Sequence, residues 1–528
     1  MRNPAIKRET YSLLRTELPA QLPAFLLKQR WFGGKARRIV STEVAEIIPV
    51  GAGQLESVVV VVGVKFSEGA EEHYVLPLVA VSAPAAQSNV TSLLRLSDGE
   101  PAHGLVLSNA LENAEFLESL LQAISGERIF KGEKGELRGH RSGTFAQLYP
   151  LSSGPLHAKL LSGEQSNSSI VYGDRLILKF FRHIEEGVNP DLEMNAFLTD
   201  RAHYHYVPAL AGFLEYRTRD GKSSTQAILQ AFVPNEGDAW KHTLKSLNRF
   251  YGLCEGASRG TDLSQGQIHK FTRERIGAYL KSIALLGRRT AELHLALASD
   301  PDDPAFAPEP FSDESQKSFE AAVLQLTSDV TRSLREKIPL LPPSWQAKAQ
   351  AVAQRQVKIV NRFRASLLQP IRAGRIRIHG DFHLGQVLYT GSDFVIIDFE
   401  GEPARPLSER RIKRSPLQDV AGMLRSFHYA AFAPLLGSSS DEPVDAQRFE
   451  RLRFWAESWN AQVADSFLAE YFGTSGAAPF LPQDPAERSK LLELYVLEKA
   501  VYELGYELNN RPDWVGLPLE GISRLLEI

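Results

Sequence analysis

The sequence predicts an α+β fold with two lobes and an additional amino-terminal module. Two observations support this prediction. Runs rich in Val, Tyr and Leu, which favour strands, dominate the first half of the 528-residue chain. Apolar residues at helical spacing dominate the second half, which has one β-rich interruption at residues 375–398. This order of elements favours a mixed fold over an all-α or all-β fold.

Composition excludes several classes of protein. With 43% hydrophobic and 23% charged residues, the chain has ordinary globular values and is not disordered or collagen-like. Lys and Arg total 60 against 63 Asp and Glu, so we expect no binding to nucleic acid or to an anionic membrane. Apolar runs such as residues 58–64 are far shorter than the roughly 20 residues of a membrane helix. The single cysteine, Cys254, fits a cytoplasmic protein.

The first half is predicted to be mainly β-structure. Gly173-Asp174 between two apolar runs is typical of a hairpin turn. The predicted strands are residues 56–66, 73–82, 170–172, 176–180 and 226–232. Gly-, Glu- and Lys-rich residues 126–143 are predicted to be a loop, and a helical stretch within residues 10–28 is expected to break at Pro19 and Pro23.

The second half is predicted to be helical. Apolar residues at positions such as 276, 279, 283 and 286 mark one face of a long helix. The predicted helices are residues 190–200, which lie among the strands, and then 268–298, 312–336, 345–368, 417–433, 448–471 and 488–510.

The β-rich interruption carries the strongest signal for chemistry. Two short apolar strands each lead to an acid, Asp381 and Asp398, and a hairpin would bring both acids to one rim. Adjacent carboxylates repel each other unless a cation lies between them, and Mg²⁺ takes oxygen ligands together with phosphate. We therefore expect phosphoryl transfer, with Asp381 taking the acceptor proton and Asp398 and Gln386 holding Mg²⁺. A zinc hydrolase with His379, Asp381 and His383 as ligands is the rival interpretation.

A second candidate site lies upstream. Lys179 falls inside an apolar strand, where a charge needs a partner, and Glu193 in the following helix is the expected one. Such a pair would position nucleotide phosphates. Ser166, Asn167 and Ser168, just before the strand, suit a loop that approaches phosphate. An exposed edge-strand lysine and a polar turn are the alternatives.

Together these pieces resemble the aminoglycoside-phosphotransferase-like branch of the protein-kinase fold, and more narrowly the maltokinase family. The segments that carry the resemblance are residues 29–35 (QRWFGGK), 379–387, 398–411, 419–426, 498–507 and 510–512. The resemblance implies ATP-dependent phosphorylation of the anomeric hydroxyl of maltose, which gives maltose 1-phosphate for α-glucan (glycogen) synthesis. It also implies a bilobal fold with an amino-terminal cap.

The same resemblance divides the chain into three parts. Residues 1–140 would form the cap subdomain, and residues 141–235 the remainder of the kinase N-lobe. In the N-lobe, Gln230 and Phe232 belong to a hinge whose backbone groups would meet adenine. Residues 236–528 would form the helical C-lobe with the catalytic hairpin and the sugar pocket.

The sugar pocket is assigned to one helix. In the family, the helix with the EK-x-x-YE pattern lines the disaccharide pocket, and here its candidate residues share one polar and aromatic stripe. They are Glu498, Lys499, Tyr502, Glu503 and Tyr506. His379, His383 and Glu400, from the two catalytic segments, complete the substrate-binding candidates. A bundle helix with core tyrosines is the structural alternative.

Two other functions stay open. The same fold could phosphorylate another small acceptor such as glucosamine. The chain could also be a catalytically silent pseudokinase that binds sugar or nucleotide, although it keeps the acids and the lysine. A maltose-producing trehalose synthase is a possible partner.

Overall fold

The computed structural model describes residues 10–51, 57–81, 94–96, 105–150, 154–161, 167–255, 263–402, 405–436 and 446–527. The chain divides into two compact units, Met1–Arg201 with Pro208–Pro234 and Ala202–Val207 with Asn235–Ile528. The three-part division with boundaries after residues 140 and 235 stays a prediction. No helix in the described ranges has the length and apolar character needed to span a membrane.

The first unit is built on two antiparallel sheets. Its strands are β1 (Ile39–Val50), β2 (Ser57–Phe66), β3 (Glu71–Val81), β4 (Leu94–Leu96), β5 (Leu105–Asn109), β6 (Ile129–Lys131), β7 (Gly135–Arg141), β8 (Ala158–Leu160), β9 (Asn167–Tyr172), β10 (Leu176–Phe181), β11 (His183–Ile184), β12 (Leu210–Thr218) and β13 (Ser223–Ala231). One sheet has the order β1-β2-β3-β5-β4, with β11 beside β3. The other has the order β6-β7-β12-β13-β10-β9-β8.

The helices of this unit are α1 (Thr10–Lys28), α2 (Ala114–Ser125), α3 (Phe145–Leu148) and α4 (Pro190–Ala196). Strand β2 explains how the core is layered. Val58, Val60 and Val62 pack in the same cluster as the leucines of α1, whereas Val59 and Val61 pack with α2 and the second sheet. Both faces of β2 are therefore buried, which accounts for its unbroken apolar run.

Helix α1 does not break at its prolines, contrary to the sequence prediction. Pro23 has no N–H to donate to the carbonyl of Pro19, but the Thr42 hydroxyl on β1 donates to that oxygen at 2.7 Å. A buried leucine stripe that includes Leu14 and Leu22 holds the helix against the sheet. Tertiary contacts thus replace the missing bond and outweigh helix propensity.

The loop prediction for residues 126–143 was also wrong, since this range contains β6 and β7. Gly139 is required there by close packing, because a β-carbon on it would lie 2.0 Å from the carbonyl oxygen of Ala123 in α2. This glycine therefore indicates a strand packed closely against a helix and not a turn.

The second unit is largely helical. Its helices are α5 (Ala239–Glu255), α6 (Gln265–Leu297), α7 (Asp313–Lys337), α8 (Pro343–Gln354), α9 (Gln356–Ser366), α10 (Leu407–Arg410), α11 (Leu417–Leu436), α12 (Ala446–Ser475), α13 (Pro485–Asn510) and α14 (Gly516–Leu526). Its strands are β14 (Glu309–Pro310), β15 (Gly374–Arg375), β16 (Val387–Tyr389) and β17 (Phe394–Ile396). The predicted helix 345–368 is divided at Arg355, and β14 with β15 adds a strand pair that was not predicted.

Candidate active site

The catalytic hairpin holds two acidic segments side by side. Strands β16 and β17 pair with Val387 opposite Ile396. His379 Nε2 lies 2.9 Å from the carbonyl oxygen of Ile397, which ties the two segments together. Gly380 has φ +83°, and a β-carbon there would lie 3.3 Å from the backbone of the facing segment. The sequence therefore needs glycine at this position.

A buried carboxylate fixes the first segment. Asp419 in α11 accepts hydrogen bonds from the backbone N–H of His379 at 2.7 Å and of Gly380 at 2.9 Å. His294 Nε2 lies 3.1 Å from the same carboxylate, and Tyr471 lies 2.8 Å from the other ring nitrogen of His294. Burial opposes the charge of Asp419, but these hydrogen bonds and the nearby imidazoles outweigh it and lower the pKa of the carboxyl. Asp419 thus fixes the backbone immediately before Asp381.

Asp381 lies between a lysine and a histidine. Its carboxylate is 3.7 Å from Lys499 Nζ and 3.8 Å from His383 Nε2. Burial would lower the pKa of Lys499, but Asp381 and neighbouring glutamates raise it above the ordinary value. Burial lowers the pKa of His383, whose Nδ1 accepts the N–H of Gly385 at 3.0 Å. A neutral His383 therefore carries its proton on Nε2, which faces Asp381.

Beside Asp381 lies a polar surface that we call the acceptor pocket, formed by Asp381, Glu402, Arg405, Lys499 and Tyr502. Glu402 accepts a bond from Arg405 Nε at 2.6 Å and is also hydrogen-bonded to Tyr502. Lys499 Nζ lies 4.8 Å from the centre of the Tyr502 ring. Burial opposes ionisation of Glu402, but Lys499, Arg405 and Tyr502 hold its pKa below the ordinary value. These residues combine charged hydrogen-bonding groups with an aromatic face, as sugar sites require.

Other members of the predicted stripe have different surroundings. Glu503 receives Arg425 Nε at 2.8 Å and Nη2 at 2.7 Å, so it ties α13 to α11 through a paired contact. Burial raises the pKa of Glu498. Tyr506 is exposed, with Arg511 5.4 Å from its ring centre. Of the predicted stripe, Lys499 and Tyr502 are the residues that the structure brings to Asp381 and Glu402.

The second acidic segment presents oxygen ligands. Carboxylate oxygens of Asp398 and Glu400 lie within 4.8 Å of each other. Asp398 has φ +70°, a left-handed conformation that is uncommon outside glycine and occurs at functional sites. Gln386 is held by its backbone, which donates to His383 at 2.9 Å and accepts from Ile397 at 3.0 Å. Two carboxylates this close suit Mg²⁺, and Gln386 in the same hairpin stays the predicted amide ligand.

In the first unit, Lys179 lies on a central strand, because β10 has β9 on one side and β13 on the other. Its ammonium is 3.0 Å from Asp191, whose side chain is 1% exposed, whereas that of Lys179 is 15% exposed. The structure thus pairs Lys179 with Asp191. The predicted pair of Lys179 with Glu193, two positions later in α4, stays a prediction. Asn189 caps this helix and accepts the N–H of Asp191 at 2.8 Å, which fixes the acid in the first turn.

The remaining nucleotide candidates lie in or beside the same sheet. Asn167 and Ser168 begin β9 opposite β10, and the Ser168 hydroxyl accepts Arg182 Nε at 2.9 Å. Gln230 lies in β13, where it pairs with Ile177 of β10 and Leu210 of β12. The Phe232 N–H donates to the carbonyl of Arg175 at 2.7 Å. The Phe232 amide is therefore engaged within the sheet. Ser166 lies outside the described residues.

The chain is similar to proteins of known type over most of its length. Residues 25–111 match the model of the maltokinase N-terminal cap domain. Over these residues the chain resembles the cap of maltokinases. A glucosamine kinase of Mycolicibacterium smegmatis is 26% identical over 391 residues, which are 73% of this chain and 84% of that protein. A glucosamine kinase of Streptacidiphilus jiangxiensis is 24% identical over 366 residues, 69% of this chain and 72% of its own.

Solved structures show the same fold. A glucosamine kinase in complex with glucosamine, ADP and inorganic phosphate superposes with a TM-score of 0.59 at 19% identity, covering 92% of this chain and 93% of that chain. Another crystal form of glucosamine kinase gives a TM-score of 0.62 at 19% identity, with 96% and 97% covered. The predicted α+β, bilobal phosphotransferase fold with an amino-terminal cap is confirmed.

Several site residues were not assigned roles from the sequence. Asp419 and Glu402 lie within segments that carry the family resemblance, but the partners His294 of Asp419 and Tyr502 of Glu402 come from distant helices. Arg405, three positions after Glu402, had no assigned role either. Asp191 carried a usable signal, since Asn189 before a proline predicts a helix cap that places Asp191 in the first turn.

Proposed function

We propose that the chain is an ATP-dependent maltokinase that transfers the γ-phosphoryl group to the anomeric hydroxyl of maltose. Its relatives, which are named glucosamine kinases, bear out the prediction of a sugar kinase, and the acceptor is the part proposed here. The match of residues 25–111 to the maltokinase cap supports this acceptor. The product would be maltose 1-phosphate, a donor for α-glucan synthesis.

The observation that carries the proposal is the setting of Asp381. Asp381, beside Lys499, is placed to accept the proton of a sugar hydroxyl, while the lowered pKa of His383 favours its neutral form. Asp419 would keep the Asp381 backbone in place during the reaction. The hydrogen bonds of this loop give it a fixed geometry, on which phosphoryl transfer depends more than on covalent chemistry by the protein.

The other roles follow from the donor chemistry of each residue. Asp398, Glu400 and Gln386 would hold Mg²⁺, which when bound neutralises phosphate charge. Lys179, oriented by Asp191, would contact nucleotide phosphates. Gln230 and Phe232 remain the proposed hinge for adenine, and contributions of Glu193, Asn167 and Ser168 to nucleotide binding stay predictions.

The charge of the acceptor pocket favours a neutral sugar over glucosamine. Glu402 is paired with Arg405, and Asp381 lies beside Lys499. Burial raises the pKa of Glu498 and so opposes a further negative charge, while Arg414 adds a positive one nearby. The ammonium of glucosamine would be repelled by Lys499, Arg405 and Arg414, whereas maltose is uncharged. Glucosamine kinase activity is the second candidate function, because the relatives of this chain are named glucosamine kinases.

A phosphorus NMR time course tests the acceptor. The full chain is incubated with ATP and Mg²⁺ and, in separate samples, maltose, glucose, glucosamine or trehalose. We expect an anomeric phosphomonoester signal with maltose, reduced roughly 10²- to 10⁴-fold in Asp381→Asn, which retains the shape but not the base. Turnover with glucosamine and with none of the other sugars would refute maltose as the acceptor and identify a glucosamine kinase. ATP binding in calorimetry without turnover of any acceptor would favour the pseudokinase.

A cytoplasmic location and association with a trehalose synthase stay predictions. Co-purification of the chain with a tagged trehalose synthase, compared with an unrelated tagged enzyme, would test the partner.

A further inference from the structure

Helix α11 contacts the segment that carries Asp381. Its residues Asp419, Gly422 and Ser426 share one face, because they are spaced three and four positions apart. The Ser426 hydroxyl accepts the N–H of Leu384 at 3.1 Å. A β-carbon on Gly422 would lie 2.6 Å from a backbone carbonyl oxygen of the same segment, so the helix packs directly against it. Together with the two bonds of Asp419, α11 holds the backbone on both sides of Asp381.

A second face of α11 contacts α13, the helix that carries Lys499. Arg425 Nε and Nη2 lie 2.8 and 2.7 Å from one carboxylate oxygen of Glu503, and the two side chains are only 4% and 13% exposed. One turn later, the Tyr429 hydroxyl donates to Glu507 at 3.3 Å. A β-carbon on Gly521 of α14 would lie 2.9 Å from the guanidinium carbon of Arg425, so that helix encloses the guanidinium. Arg425 is therefore held in a fixed position between three helices.

The ion pair with Arg425 continues a row of charges that leads to Asp381. Glu503 follows Lys499 by four residues, so the two side chains lie on the same side of α13. Lys499 Nζ lies 3.7 Å from the Asp381 carboxylate. Burial would lower the pKa of Lys499, but nearby carboxylates, among them Asp381 and Glu503, raise it. Two carboxylates thus attract one ammonium, and the pairing of Glu503 with Arg425 limits their competition.

We propose that Arg425 is a positioning residue for phosphoryl transfer, which holds the Glu503 carboxylate and so leaves the Lys499 ammonium at Asp381. Without Arg425, Glu503 would be a largely buried carboxylate that has lost its partner. Lys499, one turn away on the same helix, would move toward it, and Asp381 would lose its neighbouring cation. The inference rests on the proposed role of Asp381 but not on the identity of the acceptor sugar.

Steady-state kinetics on the full chain test the proposal, with ATP, Mg²⁺ and the sugar that NMR identifies as the acceptor. Arg425→Gln should lower kcat roughly 10- to 100-fold, since a displacement of about 1 Å can have an effect of that size. The KM for ATP should not change, because Arg425 contacts no residue of the proposed nucleotide site. Adding Glu503→Gln removes the competing carboxylate, so the double variant should regain most of the lost kcat.

The Lys499 ammonium gives a readout that needs no turnover. Lysines of the full chain are dimethylated with ¹³C-formaldehyde and titrated by NMR, and Lys499→Gln identifies the Lys499 signal by its loss. The pKa of Lys499 should rise in Arg425→Gln, because Glu503 then attracts the ammonium without compensation. In the double variant it should fall below the parent value, because the attraction of Glu503 is gone. If no sugar is phosphorylated, the proposed function is refuted, whereas this titration still tests Arg425.

Lys348→Gln is the matched control, since it breaks the ion pair with Glu520 that joins α8 to α14 in the same unit. It should lower the melting temperature but keep the parent kcat and the parent titration of Lys499. The proposal is overturned if Arg425→Gln keeps the parent kcat, if the double variant has a lower kcat than Arg425→Gln, or if the pKa of Lys499 is the same in all three chains. Circular dichroism checks folding. If Arg425→Gln does not fold, Arg425→Lys replaces it, because lysine keeps the charge without the guanidinium fork and should give smaller shifts in the same directions.

Discussion

Replacing Asp419 by Asn should disable the enzyme without touching a reacting group. The Asp419 carboxylate accepts hydrogen bonds from two backbone N–H groups of the loop before Asp381, at 2.7 and 2.9 Å. It also lies 3.1 Å from His294 Nε2. Asparagine offers one oxygen, so its NH₂ group would face one of the two N–H donors. An unsatisfied buried donor costs about 1–3 kcal/mol, and hydrogen bonds to a charged group are stronger than neutral ones.

The expected result is a fall in kcat of roughly 10²-fold, because Asp381 is carried by the loop that Asp419 holds and small misplacements have effects of that size. The KM for ATP should change little. Phosphoryl transfer is measured with the acceptor identified by NMR, and urea unfolding gives the change in stability.

Asp329→Asn is the matched control, since it removes an exposed acid whose pair with Arg332 is worth at most about 1 kcal/mol. The reasoning would be refuted if Asp419→Asn kept the parent kcat and urea midpoint. The pH dependence gives a second check. The folded-state pKa of Asp419 lies below its ordinary value of 3.8, so its stabilisation is complete above that pH and lost as the pH falls through the lowered value.

Three further predictions concern other positions. Gly380→Ala should lower kcat, because alanine disfavours φ +83° and its β-carbon would crowd the facing segment; an unchanged kcat would contradict this. Asp191→Asn should raise the KM for ATP, since the Lys179 ammonium loses its charged partner, and a KM equal to that of the parent chain would exclude the pair from nucleotide binding. Thr42→Val should lower the free energy of unfolding in urea by about 1 kcal/mol by leaving the Pro19 carbonyl without its donor, with Thr16→Val as an exposed control.

Local sequence patterns were sufficient to predict the elements that are determined by residues close together in the chain. The hairpin around Gly173-Asp174 and the strands leading to Asp381 and Asp398 follow from apolar runs and turn residues close in sequence. Helix α6 follows from its apolar stripe and a capping box at Ser264. The motifs in these elements also indicated a kinase, and the relatives named as sugar kinases agree.

Tertiary structure decided the points at which distant residues meet. Thr42 keeps α1 continuous through its prolines, and α2 presses against Gly139 so that a glycine-rich stretch becomes a strand. Asp191 lies beside Lys179 because the cap at the start of α4 fixes the first turn of that helix.

The surroundings of Asp381 show most clearly how distant residues meet. The sequence indicated Asp381 from its own segment, but Asp419 of α11 holds the backbone just before it and Lys499 of α13 lies beside its carboxylate. The chemical role of each side chain could therefore be inferred from the sequence, but its partners could not. Ion pairs and buried hydrogen bonds depend on distances that the packing of helices sets.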